Sequence, residues 1–202
     1  MMKVIGITGG VGAGKSTVVK ILGEHFPTEF LHCDGIAHEL MEPGGSAYAE
    51  LVSLFGADIV NEDGKINRSK LYEAAFLGER VEALNACVHP KVRDAVEERI
   101  AQLKKEGFDG LVLIEAALLI EAGYKDICDE LWYVYAPEAM RKERLMANRG
   151  YTEERVASIM EKQASEALFF AESDFVLYND SVPEECEEHI LAQVRKHQNG
   201  RW

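Results

Sequence analysis

Short runs of consecutive apolar residues alternate along this chain with longer stretches whose apolar residues recur every three or four positions. The first pattern is how a strand covered on both faces reads, and the second marks one face of a helix. Val4–Thr8 predicts the first strand, and Ser16–His25 the helix after it. Phe30-Leu31-His32-Cys33 predicts a short second strand ending at Asp34. Leu111–Glu115 and Glu130–Tyr135 predict the third and fourth, and Phe175–Tyr178 a fifth that stops at Asn179-Asp180. Five strands joined by helical crossovers imply an α/β fold, a doubly wound five-stranded parallel sheet with ligands at the carboxyl ends of its strands.

Between the second and third strands, residues 35 to about 110 read as almost entirely helical. Val81, Leu84, Val88, Val92, Val96, Ile100 and Leu103 form one helix face. Pro90 interrupts it, and the restriction on His89 before it predicts a kink or two helices. Pro43-Gly44-Gly45 and Asp63-Gly64 read as turns. A second helical stretch runs from about Pro137 to Leu168, broken near Gly150, with Val156, Ile159, Met160, Gln163 and Ala167 as its later stripe. The last helix runs from Pro183 to about His197, with Cys186, Ile190 and Val194 on one face.

Composition narrows the partners. The chain has 202 residues, 47% of them hydrophobic, which suits a single domain with a real core. A net charge of −13 argues against nucleic acid or an anionic membrane surface as partner. An anionic ligand then needs a local basic cluster, and Arg141, Lys142, Arg144, Arg149 and Arg155 supply the best one. Cys33, Cys87, Cys128 and Cys186 are too scattered for a zinc or disulfide framework and read as inert thiols. His32, His38 and His89 have no metal-ligand spacing. The longest apolar stretch, Leu111–Ile120, is too short to span a bilayer and contains Glu115, so a cytoplasmic location is expected.

The chemistry is concentrated after the first strand. Gly9-Gly10-Val11-Gly12-Ala13-Gly14-Lys15-Ser16-Thr17 matches Gly-x4-Gly-Lys-Ser, the P-loop pattern. Its glycines let successive backbone N–H groups face one phosphate chain, and the helix that starts there adds unpaired N–H groups and a positive dipole end. Lys15 would reach the β/γ-phosphates and Ser16 would offer a hydroxyl to Mg²⁺. A triphosphate site follows. Asp34, at a strand end, is a candidate proton acceptor or metal organiser, with a helix N-cap for Gly35–Leu40 as the structural alternative. Glu115 could serve the metal, while Glu121 could simply end its segment. Arg141 and Arg144 lie one helical turn apart on a candidate lid. They could stabilise a transferring phosphoryl group, or form a solvated face paired with Glu138 and Glu143. A guanine-binding Asn-Lys-x-Asp motif is not supplied by Asn179-Asp180-Ser181, which argues against a regulatory GTPase.

An ordered series of segments then resembles one family. Thr8–Thr17 is followed by Cys33-Asp34-Gly35-Ile36-Ala37-His38, Glu42-Pro43-Gly44, Phe55-Gly56 and Asp63-Gly64-Lys65-Ile66-Asn67-Arg68. Val88-His89-Pro90, Leu118-Leu119-Ile120-Glu121, Gln163-Ala164 and Ser173-Asp174-Phe175-Val176 complete it, in the order found in dephospho-coenzyme A kinases. Departures from that family's usual pattern fall at His32, His38, Glu115-Ala116-Ala117 and Asn148-Arg149. The resemblance implies ATP and Mg²⁺ as cofactors and dephospho-coenzyme A as acceptor, and an obligate protein partner is not indicated. It implies Lys15, Asp34 and Arg144 as the catalytic set, with Asp34 as base. It also implies one P-loop kinase domain over 1–202: core about 1–34, 108–136 and 171–202, helical acceptor lobe about 35–107, and helical lid about 137–170.

Overall fold

A computed structural model of the chain describes residues 2–116, 119–120, 122–161, 163–180 and 183–198. Ala117, Leu118 and Glu121, named above beside the third strand, lie outside the described residues. Five strands form one sheet: β1 (Lys3–Thr8), β2 (Thr28–His32), β3 (Leu111–Glu115), β4 (Glu130–Tyr135) and β5 (Phe175–Tyr178), in the order β2-β3-β1-β4-β5. The pairs β1–β3, β1–β4 and β4–β5 are parallel. The central strand is therefore β1, and its register sets Ile7 beside Glu115 and Thr8 beside Tyr133. The doubly wound parallel sheet read from the sequence is the one observed.

The three central strands, β3, β1 and β4, are almost wholly apolar because both of their faces are covered. Ile5, Ile7, Leu113, Trp132, Val134 and Leu177 join Val18 and Leu22 of α1 (Lys15–His25) in one core. Cys186, Ile190 and Val194 of α9 (Pro183–Gln198) complete it. The alternate residues Val4, Val112, Ile114, Leu131 and Tyr133 face the other way and are equally buried. Gly6 has no room for a side chain there, since a Cβ would stand 2.9 Å from Cys128 Sγ and 3.0 Å from Leu131. Leu113 is fully buried in the first of these cores. Leu113→Ala is expected to cost about 2–5 kcal/mol in urea unfolding, through lost burial and the cavity left behind.

The chain divides into two compact units, Leu31–Gly107 and the remainder, Met1–Phe30 with Phe108–Trp202. The Leu31–Gly107 unit contains α2 (Cys33–Leu40), α3 (Tyr48–Phe55), α4 (Arg68–Tyr72), a π-helical turn at Glu73–Leu77 and α5 (Val81–Glu106). Helix α5 buries Val88, Val92, Val96, Ile100 and Leu103 of the face read from the sequence, together with Cys87, while Val81 and Leu84 are only half-buried. It is a single helix of 26 residues, so Pro90 does not divide it in two. Pro90 and His89 lie on its exposed side, where water can satisfy the carbonyl Pro90 leaves unbonded. The next carbonyl, of Cys87, also accepts from Lys91 Nζ at 3.0 Å. That ammonium is held in turn by Glu50 Oε2 at 2.6 Å.

The second strand starts and ends earlier than the sequence reading. Cys33 and Asp34 belong to the first turn of α2, whose N-cap is His32. Asp34 is thus neither the strand's last residue nor the cap. The 137–168 stretch is made of α6 (Glu138–Arg149), α7 (Glu153–Glu161) and α8 (Glu166–Glu172); the break expected near Gly150 falls there, with Gly150 closing α6 in a left-handed conformation, φ 63°, and the boundary between α7 and α8 was not expected. All four cysteines are free thiols, Cys33, Cys87 and Cys186 buried and Cys128 half-buried. Among the described residues, no helix is long and apolar enough to cross a membrane.

Candidate active site

Thr8 ends β1 and the glycine-rich segment turns the chain directly into α1. The Ala13 N–H donates to the Gly10 carbonyl at 3.1 Å, closing a turn over Gly10–Ala13. Gly14 then forms the N-cap of α1 at φ 98°, a region that disfavours any residue with a Cβ. Its approach to Asn179 is also too close for one, because an added Cβ would collide with the Asn179 amide nitrogen. Gly14→Ala is therefore expected to lower stability by about 1–3 kcal/mol in urea unfolding. In the first turn of α1 the Thr17 N–H donates to the Gly14 carbonyl at 3.0 Å, and the positive end of the helix dipole faces the loop.

A cavity of about 450 Å³ lies over this turn, lined by Gly12, Gly14, Lys15, Ser16 and Thr17. Lys15 is the first residue of α1, and its Nζ donates to the Gly9 carbonyl at 3.0 Å. The ammonium is therefore folded back along the loop it follows. Glu115, at the carboxyl end of β3, also lines the cavity, as do Arg144, Asn148 and Arg149 of α6. Cys186 of α9 contributes too, its thiol pushed up by burial and only partly brought back by the Arg144 charge. Among the described residues no cluster of three or more His, Cys, Asp or Glu side chains is placed to hold a metal. Among the residues lining the cavity, the Ser16 hydroxyl and the Glu115 carboxylate are hard oxygen donors of the kind Mg²⁺ takes.

Arg141 and Arg144, two of the three arginines of α6, both reach the phosphate loop. Arg141 is buried, with its Nε on the Ala136 carbonyl at 3.1 Å and its guanidinium on Glu166 at 3.2 Å. Its guanidinium stands against Gly10, where any side chain would collide with it. Glu138 pairs with Lys142 at 2.6 Å instead of with an arginine. Arg144 donates to the carbonyls of Asn179 at 3.0 Å and Ala13 at 3.4 Å. Behind Arg141, Tyr133 stacks on Phe169. Burial, reinforced by the Glu166 carboxylate, pushes its phenol up to about 12, so it stays neutral at ordinary pH.

Two residues that the sequence reading did not place in the site hold the loop. Asn179, just past β5, donates from Nδ2 to the Ala13 carbonyl at 2.7 Å, and its own N–H is held by the Tyr135 carbonyl. Gln163 accepts the Val11 N–H at 3.1 Å. It belongs to no helix, lying between α7 and α8. Its signal in the sequence was a polar residue at an apolar register of the helical stripe. Asp34 belongs to the Leu31–Gly107 unit; its exposed carboxylate lies 4.0 Å from His32 Nε2. His38 is in the last turn of α2.

A glycine-rich turn leading from a central parallel strand into a helix, with a lysine and a serine at the helix start, is the arrangement of a P-loop protein. Solved structures carry the same fold: shikimate kinase from Acinetobacter baumannii superposes with TM-score 0.54 at 15% identity over 98% of this chain and 95% of that one. Dephospho-CoA kinase from Campylobacter jejuni does so at 0.74, with 21% identity over the whole of both chains. The TT1252 protein from Thermus thermophilus reaches 0.80 at 32% identity, covering 96% of this chain and 97% of the other. Residues 3–185 match the family model described as dephospho-CoA kinase. A dephospho-CoA kinase of Carboxydothermus hydrogenoformans is 34% identical over 100% of this chain and 98% of its own. One of Geobacter sulfurreducens is 38% identical over 94% and 95%. The chain belongs to the dephospho-CoA kinase family.

Proposed function

We propose that this chain transfers the γ-phosphate of ATP to the ribose 3′-hydroxyl of dephospho-coenzyme A. The observation that carries the reading is the extent of the family match, residues 3–185, which takes in the phosphate loop and the whole Leu31–Gly107 unit. A phosphate loop alone would serve any P-loop kinase. Phosphoryl transfer passes through a loose transition state, so the protein's work is positioning and charge stabilisation.

Backbone N–H groups of the Gly9–Thr17 loop, other than those of Val11 and Ala13 that donate to Gln163 and Gly10, hold the β- and γ-phosphates together with the Lys15 ammonium. Ser16 and Glu115 would hold Mg²⁺, which when bound neutralises charge on the β- and γ-oxygens. Arg144, already fixed at the loop by its bonds to Ala13 and Asn179, places positive charge at the γ-phosphate. Asp34 accepts the proton of the 3′-hydroxyl, the Leu31–Gly107 unit binds the acceptor, and residues 137–170 act as a lid that excludes water. Steady-state phosphorylation of dephospho-coenzyme A, with shikimate and nucleoside monophosphates as competing acceptors, tests the reading. The expected product is the 3′-phosphate, identified by phosphorus NMR. A rate no higher than ATP hydrolysis without acceptor would overturn it.

A further inference from the structure

We propose that Gln163 is a positioning residue for this reaction, its side-chain carbonyl fixing the orientation of the phosphate loop through the Val11 amide. The inference rests on the reading that residues 9–17 hold the triphosphate. The turn over Gly10–Ala13 uses the Gly10 carbonyl and the Ala13 N–H, so the N–H of Val11, its second residue, has no partner inside the turn. Gln163 Oε1 takes that N–H at 3.1 Å, from 152 residues away. The Gly10–Val11 peptide is thereby pinned on both edges, locally through its carbonyl and from outside through its N–H.

The pin matters because of what flanks it. Gly9 and Gly12 both have positive φ, at 146° and 81°, and glycine offers little resistance to rotation of a neighbouring peptide. Arg141, Arg144 and Asn179 constrain the loop at Gly10 and Ala13, but none of the bonds they make involves the Val11 N–H. Gln163 itself is held by its N–H on the Met160 carbonyl at 3.2 Å. Two residues on, Ser165 caps α8 through Leu168. The acceptor is therefore presented by a residue whose own backbone is held. Its role is exerted through the backbone it orients, and no contact with substrate is required of it.

The test compares Gln163→Leu, which removes the acceptor, with Gln163→Glu, which keeps one. Exchange of the Val11 amide is followed by NMR, ATP affinity by calorimetry, and kcat with dephospho-coenzyme A by assay. In Gln163→Leu the Val11 amide should exchange at least about 5-fold faster and ATP should bind about 5- to 10-fold more weakly, the scale of one neutral hydrogen bond. Gln163→Glu should restore Val11 protection and recover most of the ATP affinity. Unchanged Val11 exchange in the leucine variant would overturn the proposal, as would faster exchange with unchanged ATP affinity, or a glutamate variant that restores neither. Exchange and calorimetry need no acceptor. Failure of the unmutated protein to phosphorylate dephospho-coenzyme A would thus overturn the proposed function and leave the Gln163 result readable.

Discussion

Lys15→Ala is expected to reduce kcat/KM for ATP-dependent phosphorylation by about 10³-fold or more, with little change in the urea midpoint. The magnitude is that of one preorganised charge removed from a developing anion in a site from which water is excluded. The geometry explains why no neighbour substitutes for it. Lys15 is the first residue of α1, so its stem starts where the loop N–H groups and the helix dipole converge. Its ammonium lies 3.0 Å from the Gly9 carbonyl, alongside the loop and not out in solvent. Arg144 has its donors on Ala13 and Asn179, and Arg141 is spent on Glu166 and Ala136. Arg144 cannot move to the lysine's place without releasing the Ala13 carbonyl, nor Arg141 without giving up Ala136 and Glu166. The fold should tolerate the change because Lys15 contributes a partly exposed side chain and no core packing. Turnover within tenfold of the unmutated protein, measured with saturating acceptor, would remove the phosphate loop from the mechanism.

The parts of this fold that were legible in sequence are those whose cause is local. Strands β3, β4 and β5 read correctly because continuous apolar runs such as Leu111-Val112-Leu113-Ile114 have no helical period and need cover on both faces. Strand β2 was misplaced because it starts on the polar pair Thr28-Glu29, as an outer strand can, while Cys33 looked apolar enough to extend it. Cys33 is buried, but from within α2. Pro90 misled for a similar reason: the local rule is sound, yet the position faces solvent and Lys91 covers the next carbonyl. In the site, Lys15, Ser16 and the glycines are one continuous motif and could be named at once. The residues that brace that motif could not. Asn179 meets Ala13 across 166 positions of sequence and Gln163 meets Val11 across 152. No periodicity records such contacts, and an arginine such as Arg141 reads the same in sequence whether it faces water or lies buried against Gly10.

Asp34→Asn is expected to lower kcat by about 10²–10⁴, the usual worth of a positioned general base, while leaving ATP affinity unchanged. The substitution separates the two roles its position allows. Asp34 sits in the first turn of α2, where a carboxylate also interacts favourably with the helix dipole, an effect of about 0.3–1 kcal/mol at an exposed position. Asparagine keeps the shape and some hydrogen bonding but cannot accept the hydroxyl proton. If the carboxylate served only the helix, the variant would melt slightly earlier and turn over normally. If it serves as base, kcat collapses while the melting temperature barely moves. His32 sharpens the comparison, because its Nε2 is 4.0 Å from the Asp34 carboxylate. His32→Ala should leave most of kcat in place, since orienting a base through one long, exposed contact is worth far less than the base itself. A loss in His32→Ala as large as in Asp34→Asn would assign the proton transfer to the pair instead of to Asp34. A near-normal kcat in Asp34→Asn would leave the carboxylate with the helix alone.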